Sequence, residues 1–194
     1  MSNIWVFYDF ETTGLEPQSC EIIQIGALAV SGGKRIASFQ TLVKSTNIIP
    51  SKVVEITKIT NEKLENAPDL ENGWKLFWDW LLRLNPIVMI GHNSNKFDKL
   101  FLDHAILRFE HPISNQINKW KHLDTLEISK NPKFKLKPTN FKLISLIKYF
   151  NIDYDDANLH GALYDSLMTF KVFKAIIDSN SEETLNIWED PSRI

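Results

Sequence analysis

Three runs of β-branched and aromatic residues within the first 43 positions constrain the fold more than any other feature of this sequence. They span residues 4–10, 21–30 and 36–43, and the turn-forming segment Ser31-Gly32-Gly33 lies between the last two. Apolar runs of this length, bounded by turn residues, are typical of strands. The sequence therefore predicts three consecutive antiparallel strands at the start of the fold.

After Pro50 the pattern changes to apolar residues at helical spacing, interrupted by short apolar runs suited to buried strands. We predict helices over 70–82, 97–109, 139–150 and 161–177, and strands over 87–90 and 122–126. The order βββαβαβαα predicts an α/β fold with a mixed five-stranded sheet flanked by helices, three antiparallel strands being followed by parallel ones.

The length of 194 residues suits one domain with a sizeable core, which we place over 1–178 with a polar tail over 179–194. The net charge of −2 gives no general basic field, and four arginines offer few bidentate contacts, so sequence-specific duplex recognition is disfavoured. The sequence has a single cysteine, Cys20, and no signal-peptide pattern precedes the first strand. We therefore expect an intracellular protein, cytoplasmic or nuclear, without membrane contact.

Asp9 and Glu11 stand at the end of the first predicted strand. Because side chains alternate across a strand, both carboxylates face the same side and offer hard oxygen ligands to a divalent cation. The alternative is an ordinary solvated strand end. The apolar residues before Asp9 indicate an interior strand, where two like charges need a cation or protonation.

Two further segments carry polar residues suited to a site. His92, Asn93 and Asp98 follow a predicted strand, where α/β folds place their sites, although Asp98 is equally explained as an acid at a helix start. Five residues of helix rotate a side chain by about 140°, so His160 precedes the last helix while Asp165 lies in its first turns and points at the sheet. An imidazole beside carboxylates suits proton abstraction, and the alternative is a surface histidine with an unrelated helix acid.

The order and spacing of these three motifs resemble the DEDDh branch of the RNase H-like 3′-to-5′ exonucleases over roughly residues 4–177. Residues 21–27 are similar to the second strand of that family, and Thr57-Lys58-Ile59-Thr60 is similar to its T-x-I-T phrase. The resemblance implies an exonuclease domain over 1–178 with an RNase H-like sheet.

The resemblance also implies the chemistry and its residues. Asp9, Glu11, Asp98 and Asp165 would hold two Mg²⁺ ions, or Mn²⁺ in their place, and His160 would act as general base. Two such ions about 3.5–4 Å apart stabilise the attacking and leaving oxygens of phosphodiester hydrolysis. The expected products are nucleoside 5′-monophosphates released from the 3′ end of DNA or RNA, with single strands preferred.

Further residues are implied to hold the terminal nucleotide, with Leu15 near its base; the set is Phe10, Thr12, Thr13, Gly14, Leu15, His92 and Asn93. Gly161 departs from the family pattern, in which a basic residue often follows the histidine, so a phosphate contact is in doubt there. No side chain can be assigned to the 2′-hydroxyl, and both sugars stay open.

Other features leave alternatives open. Residues 116–148 contain eight lysines and two acids, suited either to the backbone of a single strand or to a solvated face. Trp74, Trp78 and Trp80 are candidates for base stacking, with core packing favoured for the first two. The alternatives to a stand-alone enzyme are a proofreading or nucleic-acid-binding subunit that docks to a polymerase, through Ile187-Trp188 or elsewhere, and an endonuclease or phosphohydrolase. A homodimer also stays open.

Overall fold

The computed structural model of the chain describes residues 3–179, 187, 188 and 190. Its centre is a five-stranded sheet in the order β3-β2-β1-β4-β5. The first three strands are antiparallel, and β4 and β5 run parallel to β1. The strands are β1 (Ile4–Thr12), β2 (Ile22–Ser31), β3 (Lys34–Leu42), β4 (Val88–Gly91) and β5 (Lys121–Asp124). The predicted mixed sheet is therefore confirmed.

Eight helices of the described residues surround this sheet. They are α1 (Ser51–Thr57), α2 (Asn61–Leu64), α3 (Leu70–Leu84), α4 (Asp98–Arg108), α5 (Ser114–Ile117), α6 (Thr125–Lys130), α7 (Leu143–Tyr149) and α8 (Ala162–Asp178). Helix α3 begins where the Asp69 side chain accepts the N–H of Asn72 at 2.9 Å. It ends before Asn85, whose backbone adopts the left-handed conformation. None of the described helices is both long and apolar enough to cross a membrane.

The alternation of β1 divides the interior into two cores. Val6, Tyr8 and Phe10 pack with α3 and α4 on one face, whereas Trp5 and Phe7 pack with α7 and α8 on the other. Continuing the same alternation, positions 9 and 11 of β1 face α8. The apolar residues of one strand thus determine which helix the two carboxylates meet.

The first turn of α8 lies directly against β2. A Cβ atom added to Gly26 would stand 2.1 Å from the backbone carbon of Ala162, so only glycine allows this approach. The Ser166 hydroxyl donates to the Gly26 carbonyl at 3.0 Å, and the Ala162 N–H donates to the Gln24 side chain at 3.0 Å. These contacts fix where α8 begins relative to the sheet.

Several predicted boundaries differ from the structure. The predicted strand 122–126 ends at Asp124, because the Asp124 side chain accepts the N–H of Leu126 at 2.8 Å and starts α6. The helix predicted over 139–150 is limited to Leu143–Tyr149, and α1 was not predicted. Trp80, which the sequence left open as a candidate for base stacking, packs in the core instead, with its ring 5.7 Å from that of Phe39.

The described part of the tail packs on the domain itself. The Trp5 indole donates to the Trp188 carbonyl at 3.0 Å, and the Trp188 ring lies 5.5 Å from that of Phe173. Ile187 is also buried. Residues 180–186, 189 and 191–194 of the predicted tail lie outside the described residues. The domain boundary at 178 stays a prediction.

Candidate active site

Three carboxylates from two elements meet where β1 faces the first turns of α8. Asp9, Glu11 and Asp165 are half-buried, and each offers a carboxylate oxygen that lies within 4.8 Å of the other two. Asp165 is placed by the start of α8, where its N–H donates to the Gly161 carbonyl at 2.9 Å. The structure thus brings together the first and third sequence motifs.

The chain turns sharply after these strand carboxylates. The pairing register of β1 and β2 shifts between Glu11 and Thr12, and the Thr13 N–H then donates to the Glu21 carbonyl at 2.8 Å. A bulge of this kind ends regular pairing and re-aims the neighbouring side chains. Glu11, paired with Gln24, is therefore the last residue of β1 before this irregularity.

The cluster of three carboxylates holds uncompensated negative charge. Burial first, and then the neighbouring carboxylates, raise the pKa of Glu11 to about 8 and that of Asp9 well above its ordinary value. Burial also raises the pKa of Asp165 to about 6, against the lowering effects of His160. The cluster is therefore stable near neutral pH only with bound protons or a cation.

One oxygen atom of the cluster, the buried Oδ1 of Asp165, has no hydrogen-bond partner among the described residues. An unpartnered carboxylate oxygen among like charges is costly to bury, and an oxygen-preferring divalent cation satisfies it. The donor set of Asp9, Glu11 and Asp165 therefore fits a metal ion.

Asp98 approaches the same site from the first residue of α4. It is 2% exposed, and its Oδ1 accepts the N–H of Phe10 at 2.8 Å. Burial is the main reason that its pKa is raised to about 7, and its charge in turn raises the pKa of Asp9. Asp98 is next to the cluster but outside the group whose oxygens all lie within 4.8 Å.

A cleft of about 810 Å³ opens beside these carboxylates. Asp9, Asp165 and His160 belong to its lining. His160 precedes α8, as predicted, and its φ of 62° is a left-handed conformation that is uncommon for a residue with a side chain. The lining residues between positions 126 and 143, here called the far wall, are Leu126, Lys130, Thr139, Asn140, Phe141, Lys142 and Leu143.

Two other predicted substrate residues line this cleft in different ways. The Nδ1 atom of His92 lies 2.9 Å from the Thr125 hydroxyl. Burial lowers the pKa of His92 to about 4, so the ring is neutral at pH 7. The backbone of Asn93 adopts the left-handed conformation, and its N–H donates to the Asp124 carboxylate at 2.8 Å.

The remaining predicted substrate residues follow the end of β1. The ring of Phe10 is buried in the core, so its backbone alone faces this end of the sheet. The hydroxyl of Thr12 donates to the Gly14 carbonyl at 2.5 Å, and that of Thr13 accepts the N–H of Glu21 at 3.0 Å. Leu15 is 75% exposed. Their contacts with a nucleotide stay predictions.

Sequence reasoning missed the role of Asp124, which it counted only as an acid in a lysine-rich segment. This carboxylate is 3% exposed and accepts backbone N–H groups of the loop that leads to Asp98. Its position directly after a short apolar strand is the signal that identifies it.

The fold and the carboxylate arrangement define an RNase H-like exonuclease. The exonuclease family model RNase_T matches residues 6–173. The chain therefore belongs to this exonuclease family, and the family predicted from the three motifs is confirmed.

The chain is similar in sequence to PolC-type DNA polymerases III. The one from Thermotoga maritima is 33% identical over 178 residues, which are 90% of this chain and 12% of that protein. The one from Ureaplasma parvum is 32% identical over 180 residues, 89% of this chain and 11% of that protein. The chain thus corresponds to a small part of these relatives.

Solved structures of Escherichia coli exonuclease I have the same fold. The zinc-bound complex of that enzyme with single-stranded DNA superposes with a TM-score of 0.77 at 17% identity, over 95% of this chain and 42% of that one. The complex named ExoI/SSB-Ct has a TM-score of 0.75 at 18% identity, over 92% of this chain and 42% of that one.

Proposed function

We propose that this chain is a 3′-to-5′ exonuclease that hydrolyses single-stranded DNA and releases nucleoside 5′-monophosphates. The observation that carries the proposal is the cluster of Asp9, Glu11 and Asp165, with its buried oxygen that lacks a partner. Asp98 is proposed as the fourth ligand. Bound Mg²⁺ or Mn²⁺ supplies charge neutralisation at the phosphate and a water of lowered pKa.

The chain's own residues divide the remaining tasks. His160 takes the proton of the attacking water, and its place in the loop before α8 lets the ring approach the phosphate without moving the helix. The residues from Glu11 to Leu15 hold the terminal nucleotide. The exposed apolar side chain of Leu15 is suited to contact a base.

The far wall is proposed to receive the nucleotides that precede the terminal one. Lys130 and Lys142 are exposed, and neither forms an ion pair with a described carboxylate. The ammonium of Lys130 lies 6.0 Å from the centre of the Phe141 ring. Unpaired cations beside an aromatic ring are typical of surfaces that bind single strands.

A second candidate function is proofreading as part of a DNA polymerase. It is favoured by the similarity of the chain to one segment of PolC-type polymerases, of which it covers 12% in the Thermotoga maritima protein. The same similarity favours DNA over RNA as the substrate.

The test is a time course on 5′-labelled single-stranded DNA and RNA of one sequence, with Mg²⁺ or with chelator. We expect a ladder that shortens from the 3′ end, fastest on DNA, and no reaction with chelator. Asp165→Asn should abolish it, whereas the matched Asp178→Asn, at the exposed end of the same helix, should not. Internal fragments or free phosphate as products would instead indicate an endonuclease or a phosphohydrolase.

A further inference from the structure

The loop between β4 and α4 is held by Asp124, a buried carboxylate that the proposed reaction does not use. Its Oδ1 accepts the N–H groups of Asn93 and Leu126, both at 2.8 Å, and its Oδ2 accepts that of Asn95 at 3.1 Å. Three backbone donors thus satisfy both oxygens of this carboxylate. Asp124 therefore stabilises the loop itself.

Thr125, the next residue, extends these contacts toward the cleft. Its fully buried hydroxyl donates to the Gly91 carbonyl at 3.1 Å and lies 2.9 Å from Nδ1 of His92. The His92 ring in turn lines the cleft. Hydrogen bonds thus join the end of β4 to a side chain of the cleft.

The loop that Asp124 holds leads directly to a proposed metal ligand. Asn93 has a φ of 61°, and no side chain caps the short helical turn that follows it or the start of α4. Asp98 then bonds the Phe10 N–H at 2.8 Å. Without Asp124, the N–H groups of Asn93 and Asn95 lose their acceptor, and the path to Asp98 is no longer fixed.

We propose that Asp124 and Thr125 are positioning residues, an assignment that rests on the exonuclease function proposed above. Asp124 holds the loop that places Asp98 against β1. Thr125 fixes the ring of His92 where that ring lines the cleft. The two parts affect different kinetic constants, because one positions a reacting centre and the other a binding surface.

The experiment measures kcat and KM on single-stranded DNA for the wild type and three variants. Asp124→Asn keeps one oxygen but places an amide N–H₂ near a backbone donor, and we expect kcat to fall about 10- to 100-fold with KM nearly unchanged. Thr125→Val keeps the shape of the side chain without its hydroxyl, and we expect KM to rise about 10-fold with kcat nearly unchanged. Thr125→Ser should restore the wild-type KM.

Amide hydrogen exchange gives a second measurement that does not depend on activity. We expect the N–H groups of Asn93 and Asn95 to exchange at least about 10-fold faster in Asp124→Asn than in the wild type. If Asp124→Asn does not fold, the Thr125 pair decides. An inactive wild type overturns the exonuclease proposal and the positioning roles with it. An active wild type overturns only the positioning roles if Asp124→Asn keeps its kcat, or if valine and serine at position 125 give the same KM.

Discussion

The single carboxylate Asp124 and the cluster of three carboxylates lie at the same end of the sheet but differ in what surrounds them. Asp124 accepts three backbone N–H groups at 2.8 to 3.1 Å. Asp9, Glu11 and Asp165 instead face one another, and Oδ1 of Asp165 has no partner among the described residues. The residue type is the same in both places, so the difference lies in the donors that the fold supplies.

This contrast distinguishes a carboxylate whose oxygens accept backbone N–H groups from carboxylates that mainly face one another. Backbone donors satisfy both oxygens of Asp124. The cluster has mainly like charges nearby, which raise the pKa of Asp9 and Glu11 in addition to burial. A cation bound in the cluster would therefore stabilise the fold by reducing the repulsion among these carboxylates.

The largest effect should come from exchanging a carboxylate for an amide in each group. We expect Asp9→Asn to lower kcat/KM about 1000-fold or more, because it removes charge at the proposed metal site. In chelator the same change should raise Tm, since it removes repulsion, whereas Asp124→Asn should lower Tm. Activity assays and thermal melts of both variants check this, and a lower Tm for Asp9→Asn in chelator would contradict the comparison.

Metal addition should stabilise the wild type and not a variant of the cluster. At a Mn²⁺ concentration of 100 times Kd, binding to the folded state alone stabilises it by about 2.7 kcal/mol. We expect calorimetry to show this gain for the wild type and Asp178→Asn, and most of it to be lost in Asp165→Asn. Equal gains in all three proteins would place the cation elsewhere.

The stability of the metal-free chain should fall as pH rises from 7 to 8.5. Because the pKa of these carboxyl groups is raised, the folded state holds protons at a pH where the unfolded chain has released them. These bound protons stabilise the folded state, and the stabilisation is lost as pH rises through about 7 for Asp98 and about 8 for Glu11. We expect Tm in chelator to drop by about 4 °C or more. The drop should be smaller in Asp9→Asn, and a Tm that rises over this interval would contradict the prediction.

The smallest effect concerns the cations of the far wall. Lys142→Gln should raise KM for single-stranded DNA about 3-fold and reduce the salt slope of binding by about 0.7, because it removes one phosphate contact. Lys148→Gln, on the exposed side of α7, is the matched control. Titrations at several salt concentrations measure both, and equal slopes would exclude Lys142 from the binding surface.

Much of the fold and part of the site could be predicted from local pattern. Alternation along β1 predicts that Asp9 and Glu11 face the same side, and helix geometry predicts that His160 precedes α8 while Asp165 lies within it. These predictions depend on residues within one element. The structure places all four where the local geometry requires.

The rest depends on contacts between distant segments. Asp124 and Asn93 are 31 residues apart, and no local pattern marks their hydrogen bond. Trp80 has the helical spacing of its neighbours, but its burial depends on Phe39, which comes from a strand on the far side of a long connection. A single sequence gives the charge of such residues but not the donors or rings that they meet.

The contact between Gly26 and α8 has a consequence for the spacing of the carboxylates. A methyl group at position 26 would collide with the backbone of Ala162 and push α8 away from the sheet, carrying Asp165 away from Asp9. A residue without a side chain therefore determines how closely the carboxylates of two separate elements approach one another.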